Sequence, residues 1–173
     1  MLLPILKYGA PGLKAVCSPV DFFNSELEKI ARNMVETMYA APGIGLAASQ
    51  VGLSISLTTV DLSAGEEAGR LIVICNPEVI SAEGEQKNEE GCLSIPDLAD
   101  TVVRPRKMIV RGQDIHGDEI QIAAEDLLAR CLAHEIDHLN GILFIDHLSV
   151  LKRKLIINKL KHMRSRLAES PGS

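Results

Sequence analysis

The chain has 173 residues, one domain's worth, and its 46% hydrophobic and 24% charged residues exclude a disordered chain or one that needs disulfide staples. Aromatics make up 3% with no Trp, too few for a base-stacking platform, and the formal net charge is −5, so direct DNA binding is not expected. No apolar run reaches the roughly 18 residues of a membrane span, and MLLPILKYGAPG lacks a signal-peptide layout, so a cytoplasmic protein with no membrane partner is expected.

Asn24-Ser25 followed by Leu27, Ile30, Ala31, Met34, Val35 and Met38 predicts a first helix that runs to about Tyr39 and stops at Ala41-Pro42-Gly43. The next stretch, Gly43-Ile44-Gly45-Leu46-Ala47-Ala48-Ser49-Gln50, is weak as a phosphate loop because no Lys-Ser/Thr follows it. Its two glycines permit close backbone approach to a ligand, and Gln50 is an uncharged donor at its end. Short β-type runs follow at Ser54–Asp61 and Arg70–Asn76, separated by the polar Ser63–Gly69. Further strands are predicted at Glu78–Glu83, Thr101–Arg104, Lys107–Gln113 and Glu119–Ala123, with a hairpin turn at Ile115-His116-Gly117-Asp118.

From Glu125 to Leu139 the period is helical again, ending at Asn140-Gly141. A last helix is expected from about Ser149 to Leu167, with Leu151, Leu155, Leu160, Met163 and Leu167 on its inner face. Residues 147–173 carry 7 Lys/Arg against Glu169 alone, whereas residues 1–146 carry 11 against 22 Asp/Glu. A +6 tail on a −11 body suits a polyanionic partner, although a solvated helix face has the same composition. Strands cluster between helices, which predicts an α+β fold: short antiparallel strands around a central helix, flanked by an N-terminal helix and a C-terminal amphipathic helix. Residues 1–173 read as a single domain.

The four cysteines are scattered and lack the density of a disulfide framework. Cys75 ends the apolar run Leu71-Ile72-Val73-Ile74, and Cys17 also reads as structural. Cys92 stands apart, between Glu90-Gly91 and Leu93-Ser94-Ile95-Pro96, in what looks like a turn. One functional thiolate in a reducing compartment is expected.

The strongest signal is His134-Glu135-Ile136-Asp137-His138. Helix positions i and i+4 share a face, so both imidazoles can meet one metal ion while Glu135 reaches its water. A catalytic site needs a third protein ligand. In HExxHxxGxxH proteases a His would stand where Phe144 does, and the carboxylates beyond His138 are Asp146 and Glu169. Cys92 is the better candidate and His147 the alternative. Leu127, Arg130 and Cys131 precede His134 by seven, four and three residues, on or beside its face. Leu127 and Cys131 suit an apolar side-chain pocket or plain core packing, and Arg130 either reaches a substrate carbonyl or pairs with Glu125 or Asp126.

Taken in order, Gly43–Gln50, Glu90-Gly91-Cys92-Leu93-Ser94 and His134–His138 resemble the three motifs of the peptide deformylases. The resemblance covers about residues 1–165, and the three motifs together are very specific. One departure is Ala133, where many relatives carry Gln. The resemblance implies a hydrolase that removes the formyl group from the N-terminal formyl-methionine of nascent polypeptides. It implies Cys92, His134 and His138 as ligands of one divalent metal, natively Fe2+, with Zn2+, Ni2+ or Co2+ able to substitute. It further implies Glu135 as acid/base, Gln50 and the Leu93 N–H as oxyanion donors, and Ile44 and Gly45 as substrate contacts. A ribosome is then the polyanion expected for the basic tail, and a chain cut after about Ser149 is expected to keep its peptide activity. A zinc peptidase lacks its downstream ligand here, and a non-catalytic metal protein would need neither Glu135 nor Gln50.

Overall fold

The computed structural model describes the backbone of residues 1–169 and the side chains of residues 1–166; the side chain of Leu167 lies outside the described residues. Asn24 caps the first helix, α1 (Ser25–Ala40), its side-chain oxygen accepting from the N–H groups of Glu26 and Leu27. Leu27, Ala31, Met34 and Met38 pack from α1 onto Leu46, Leu57 and Cys75 of the sheet. The Gly43–Gln50 stretch, to which the sequence assigns no helix or strand, forms a short strand, β1 (Gly45–Ala47), and a 3₁₀ turn at Ala48–Val51.

Five strands form the main sheet in the order β1-β2-β3-β6-β7, every neighbour antiparallel: β2 is Leu57–Val60, β3 Ile72–Glu83, β6 Lys107–Gln113 and β7 Glu119–Glu125. The predicted run Ser54–Asp61 shortens because its first residues pair elsewhere. Ser56 N–H donates to Ser18 O at 2.8 Å and Ser18 N–H to Ser54 O at 2.9 Å. The runs Arg70–Asn76 and Glu78–Glu83 join into one β3 across a bulge. At that bulge Asn76 adopts φ +52, which Asn tolerates through local hydrogen bonding. Its amide accepts from Val20 N–H at 2.7 Å and donates to Val20 O and Gln113 Oε1.

A second sheet of two strands, β4 (Gln86–Cys92) and β5 (Ile95–Arg104), was only half expected. The polar Gln86-Lys87-Asn88-Glu89-Glu90 carries no apolar alternation, so β4 is invisible in its own sequence. The central helix α2 (Asp126–Leu139) packs on the main sheet, Ala129, Cys131 and Leu132 meeting Val60, Ile74 and Val110.

The last helix, α3 (Val150–Glu169), docks through Leu160 as expected, but the buried face is turned toward Ile156 and away from Leu151 and Leu155. Ile156 and Leu160 are buried with Leu13, Ile95, Val102 and Phe144, whereas Leu151 and Leu155 are 69% and 52% exposed. Neighbouring helical positions differ by about 100°, so docking through 156 and 160 turns 151 and 155 toward solvent. Ion pairs from Lys152 to Asp100 at 3.2 Å and from Arg153 to Asp146 at 3.5 Å orient the first turns. Among the described residues no helix is long and apolar enough to cross a membrane.

Candidate metal centre and active-site cleft

α2 presents His134 and His138 one turn apart, their Nε2 atoms 3.1 Å from each other and their rings edge-on at 4.8 Å. Cys92, the last residue of β4, brings Sγ to 3.2 Å from His138 Nε2. The three donor atoms lie within 4.8 Å of one another, and all three residues are buried or half-buried. The expected turn at Cys92 begins one residue later: Cys92 pairs with Ile95, and Leu93-Ser94 make the two-residue connection. The main sheet thus carries the helix with both imidazoles, and the small sheet delivers the sulfur.

The donor set fits a divalent ion. Glu90 accepts from His134 Nδ1, which leaves Nε2 as the free lone pair facing the other donors. A thiolate with two imidazoles is a soft-to-borderline set accepted by iron, zinc and their neighbours. His147 bonds Asp137 Oδ2 through Nε2 at 2.7 Å, outside this group of donors.

A buried ionic chain stands behind His134. Arg104, 4% exposed, donates to Glu90 through Nη2 at 2.7 Å and Nε at 3.1 Å, and to Asp137 through Nη1 at 2.5 Å. Burial pushes the Glu90 carboxyl up, but the bonds from His134 and Arg104 outweigh it and hold the group at about 2. Glu90 is therefore a fixed anion, and it settles the tautomer of His134. Phe144 stacks beside the same ring, with centroids 6.5 Å apart.

Glu135 is 4% exposed, and among the described residues its Oε2 has no hydrogen-bond partner. Burial raises its carboxyl to about 7. Gln50 is 1% exposed and held at both ends of its amide. Oε1 accepts from Ala47 N–H at 2.9 Å, while Nε2 donates to Ser94 Oγ at 3.2 Å and lies 3.6 Å from Cys92 Sγ. The donor end of Gln50 is thus turned toward the small sheet.

These groups open into one cleft of about 660 Å³. Ile44, Gly45, Leu93, Leu127, Arg130 and Cys131 line it beside Gln50, Cys92, His134 and Glu135. Cys131 is both buried and cleft-lining, with its thiol donating to Ile44 O at 3.6 Å. Arg130 does not make the ion pair that its sequence neighbours offered. Glu125 pairs with Lys107 and Asp126 with Arg106, both at 3.2 Å. Glu90, Arg104, Asp137 and Ser94 had no assigned role in the sequence. The sole hint was that Glu90, Ser94 and Asp137 fall inside two of the three quoted motifs, whereas Arg104 falls in none.

A helix bearing HExxH, a converging cysteine sulfur and a buried acid in one cleft define a metal-dependent hydrolase. The polypeptide deformylase family matches residues 2–154. Peptide deformylases of Acidobacterium capsulatum and Thermodesulfovibrio yellowstonii are 48% and 49% identical to the chain. The first aligns over 95% of this chain and 96% of its own, the second over 92% and 97%. The crystal structure of a peptide deformylase from Legionella pneumophila superposes with a TM-score of 0.91 at 43% identity, covering 99% of this chain and 100% of that one. The chain belongs to the peptide deformylase family: it is a metal-dependent hydrolase that removes the N-formyl group from the formyl-methionine of newly made polypeptides and releases formate.

Proposed function

We propose that Cys92, His134 and His138 hold a ferrous ion, that Glu135 moves the proton, and that Gln50 and the Leu93 N–H receive the developing oxyanion. The carrying observation is the convergence of the three donor atoms within 4.8 Å beside a buried carboxylate at the floor of the cleft. When bound, the ion supplies Lewis acidity, polarising the formyl oxygen and acidifying water. Glu135, raised to about 7 by its burial, accepts a proton from the attacking water and passes it to the departing amine. A carboxyl with that affinity can do both near neutral pH. The Gln50 amide is held by Ala47 and Ser94, and its other N–H, on Cys92 Sγ at 3.6 Å, turns to the tetrahedral oxygen, a contribution of about 2.7–4 kcal/mol per donor.

In the same reading the backbone at Ile44 and Gly45 pairs with the substrate chain, and Leu127 and Cys131 enclose the methionine side chain. Arg130 at the cleft wall meets a substrate carbonyl. The whole chain acts as one domain in the cytoplasm. Its basic α3 docks to the ribosome from which the substrate emerges. The test is formate release from a formyl-Met peptide by protein loaded anaerobically with ferrous ion, compared with zinc-, nickel- and cobalt-loaded samples. Formate release under ferrous loading that disappears with a chelator supports the reading. A ferrous form less active than the zinc form overturns the metal assignment.

A further inference from the structure

The stretch before α1 belongs to no helix or long strand, yet three successive residues of it are tied to the catalytic cleft. Leu6 N–H donates to Gln50 O at 2.7 Å, and Tyr8 N–H donates to Ser94 O at 2.8 Å. Between them the Lys7 ammonium donates to Leu93 O at 2.6 Å, and Lys7 itself lines the cleft with Ile5. Residues 6–8 therefore bridge the 3₁₀ turn that carries Gln50 and the β4–β5 turn that carries Leu93. Those turns come from two different sheets, and their separation is set by what spans them.

We propose that Lys7 is a positioning residue for the deformylation reaction, clamping the Leu93-Ser94 turn so that the Leu93 N–H and the Gln50 amide keep one fixed spacing. The inference rests on the reading of those two groups as the oxyanion donors. A carbonyl gripped by a cation holds its donor more tightly than one gripped by a neutral group. The Leu93 carbonyl lies in the next peptide plane, two backbone dihedrals from the Leu93 N–H, so holding it limits how far the residue swings and with it where its N–H points. Oxyanion donors work only when preorganised at the site where charge develops, with tolerances of roughly 0.5 Å. Ser94 is held by Tyr8 N–H and by the Gln50 amide, and the Lys7 ammonium extends that hold to Leu93.

Because that charge exists only in the transition state, loosening the donors lowers kcat and leaves KM in place. The experiment compares Lys7→Met, Lys7→Arg and Gln50→Ala in the full metal-loaded chain, by steady-state kinetics on a formyl-Met peptide, metal content and thermal unfolding. Lys7→Met is expected to lower kcat about tenfold, less than the loss from removing an oxyanion donor outright. KM, metal content and melting temperature stay as in the parent. Lys7→Arg, which keeps a cation within reach, restores kcat to within about threefold. Wild-type kcat in Lys7→Met together with a large loss in Gln50→Ala overturns the role of Lys7 alone. Wild-type kcat in Gln50→Ala overturns the oxyanion reading beneath it. A rise in KM at constant kcat makes Lys7 a substrate contact, and a fall in melting temperature that Lys7→Arg fails to restore makes it a structural residue; either result overturns the proposal.

Discussion

Gly45 lies so tightly against Glu135 that no side chain fits between them: a Cβ at position 45 would overlap the Glu135 carboxylate and stand 3.0 Å from Cys131 Sγ. The strand β1 and the helix α2 thus meet where the proposed proton carrier sits, and the missing side chain is what lets the carboxylate occupy that place. Gly45→Ala is expected to fold and keep its metal while losing about 100-fold in kcat, the scale of a displacement near 1 Å. Metal analysis and turnover on the same sample check this. Near-parental turnover would mean that the exact seat of Glu135 is unimportant.

Glu135→Gln removes the proposed proton carrier and none of the three proposed metal ligands. Activity should fall by about 10²–10⁴-fold with metal content unchanged. Stability should hold or rise, since Oε2 is buried with no partner and a neutral amide is cheaper to bury than a carboxylate. Substantial turnover in a fully loaded Glu135→Gln protein would remove Glu135 from the mechanism.

The four cysteines are expected to separate cleanly. Burial raises the thiols of Cys17, Cys75 and Cys131, that of Cys75 to about 11, which keeps them protonated and poor as ligands. Cys92→Ala should lose tight metal binding in a chelator challenge, while Cys17→Ala, Cys75→Ala and Cys131→Ala retain it. A metal-replete Cys92→Ala protein would require a different third ligand.

Away from the cleft, Tyr39 donates to the buried Asp61 carboxylate at 2.6 Å, and Ser63 and Gly65 donate to the same group. Burial pushes Asp61 up, but these bonds outweigh it and hold the carboxyl below its ordinary 3.8. A depressed carboxyl contributes stability that is present above its unfolded value and lost as pH falls through the folded one. Tyr39→Phe is therefore expected to cost about 1–3 kcal/mol at pH 7, with the gap to the parent closing toward about pH 3. Denaturant unfolding at the two pH values measures it; a gap that widens in acid would contradict the assignment.

The way Ile156 and Leu160 dock changes how the basic helix has to be tested. Cutting the chain after Ser149 would strip both from the cluster around Leu13, Ile95 and Phe144, so loss of function in a truncated protein would report unfolding. Lys154 and Lys161 are exposed on α3, and reversing their charge leaves that cluster intact. If α3 docks to ribosomal RNA, Lys154→Glu/Lys161→Glu should co-sediment poorly with ribosomes, and parental binding should weaken steeply with salt. Peptide deformylation should be unchanged. Binding that ignores both salt and the substitutions would leave the helix a solvated surface.

The pairing of His134 with His138 is readable in one dimension because helical periodicity alone puts residues four apart on one face. The same locality makes the Asn24 cap, the Ile115–Asp118 turn and the bounds of β6 legible, since each depends on residues within a few positions. The motifs carry the family in the same way, and with it the chemistry. What the tertiary structure decided are relations across long separations. Cys92 reaches His138 across a sequence separation of 46 only because α2 lies against the main sheet while the small sheet closes over it. Arg104 finds Glu90 and Asp137, and thereby fixes the tautomer of His134, through strand pairing and helix docking that no local pattern encodes. The face on which α3 docks was decided the same way. An apolar residue on a helix records that it can be buried, but which of two adjacent rows is buried depends on the surface that receives it.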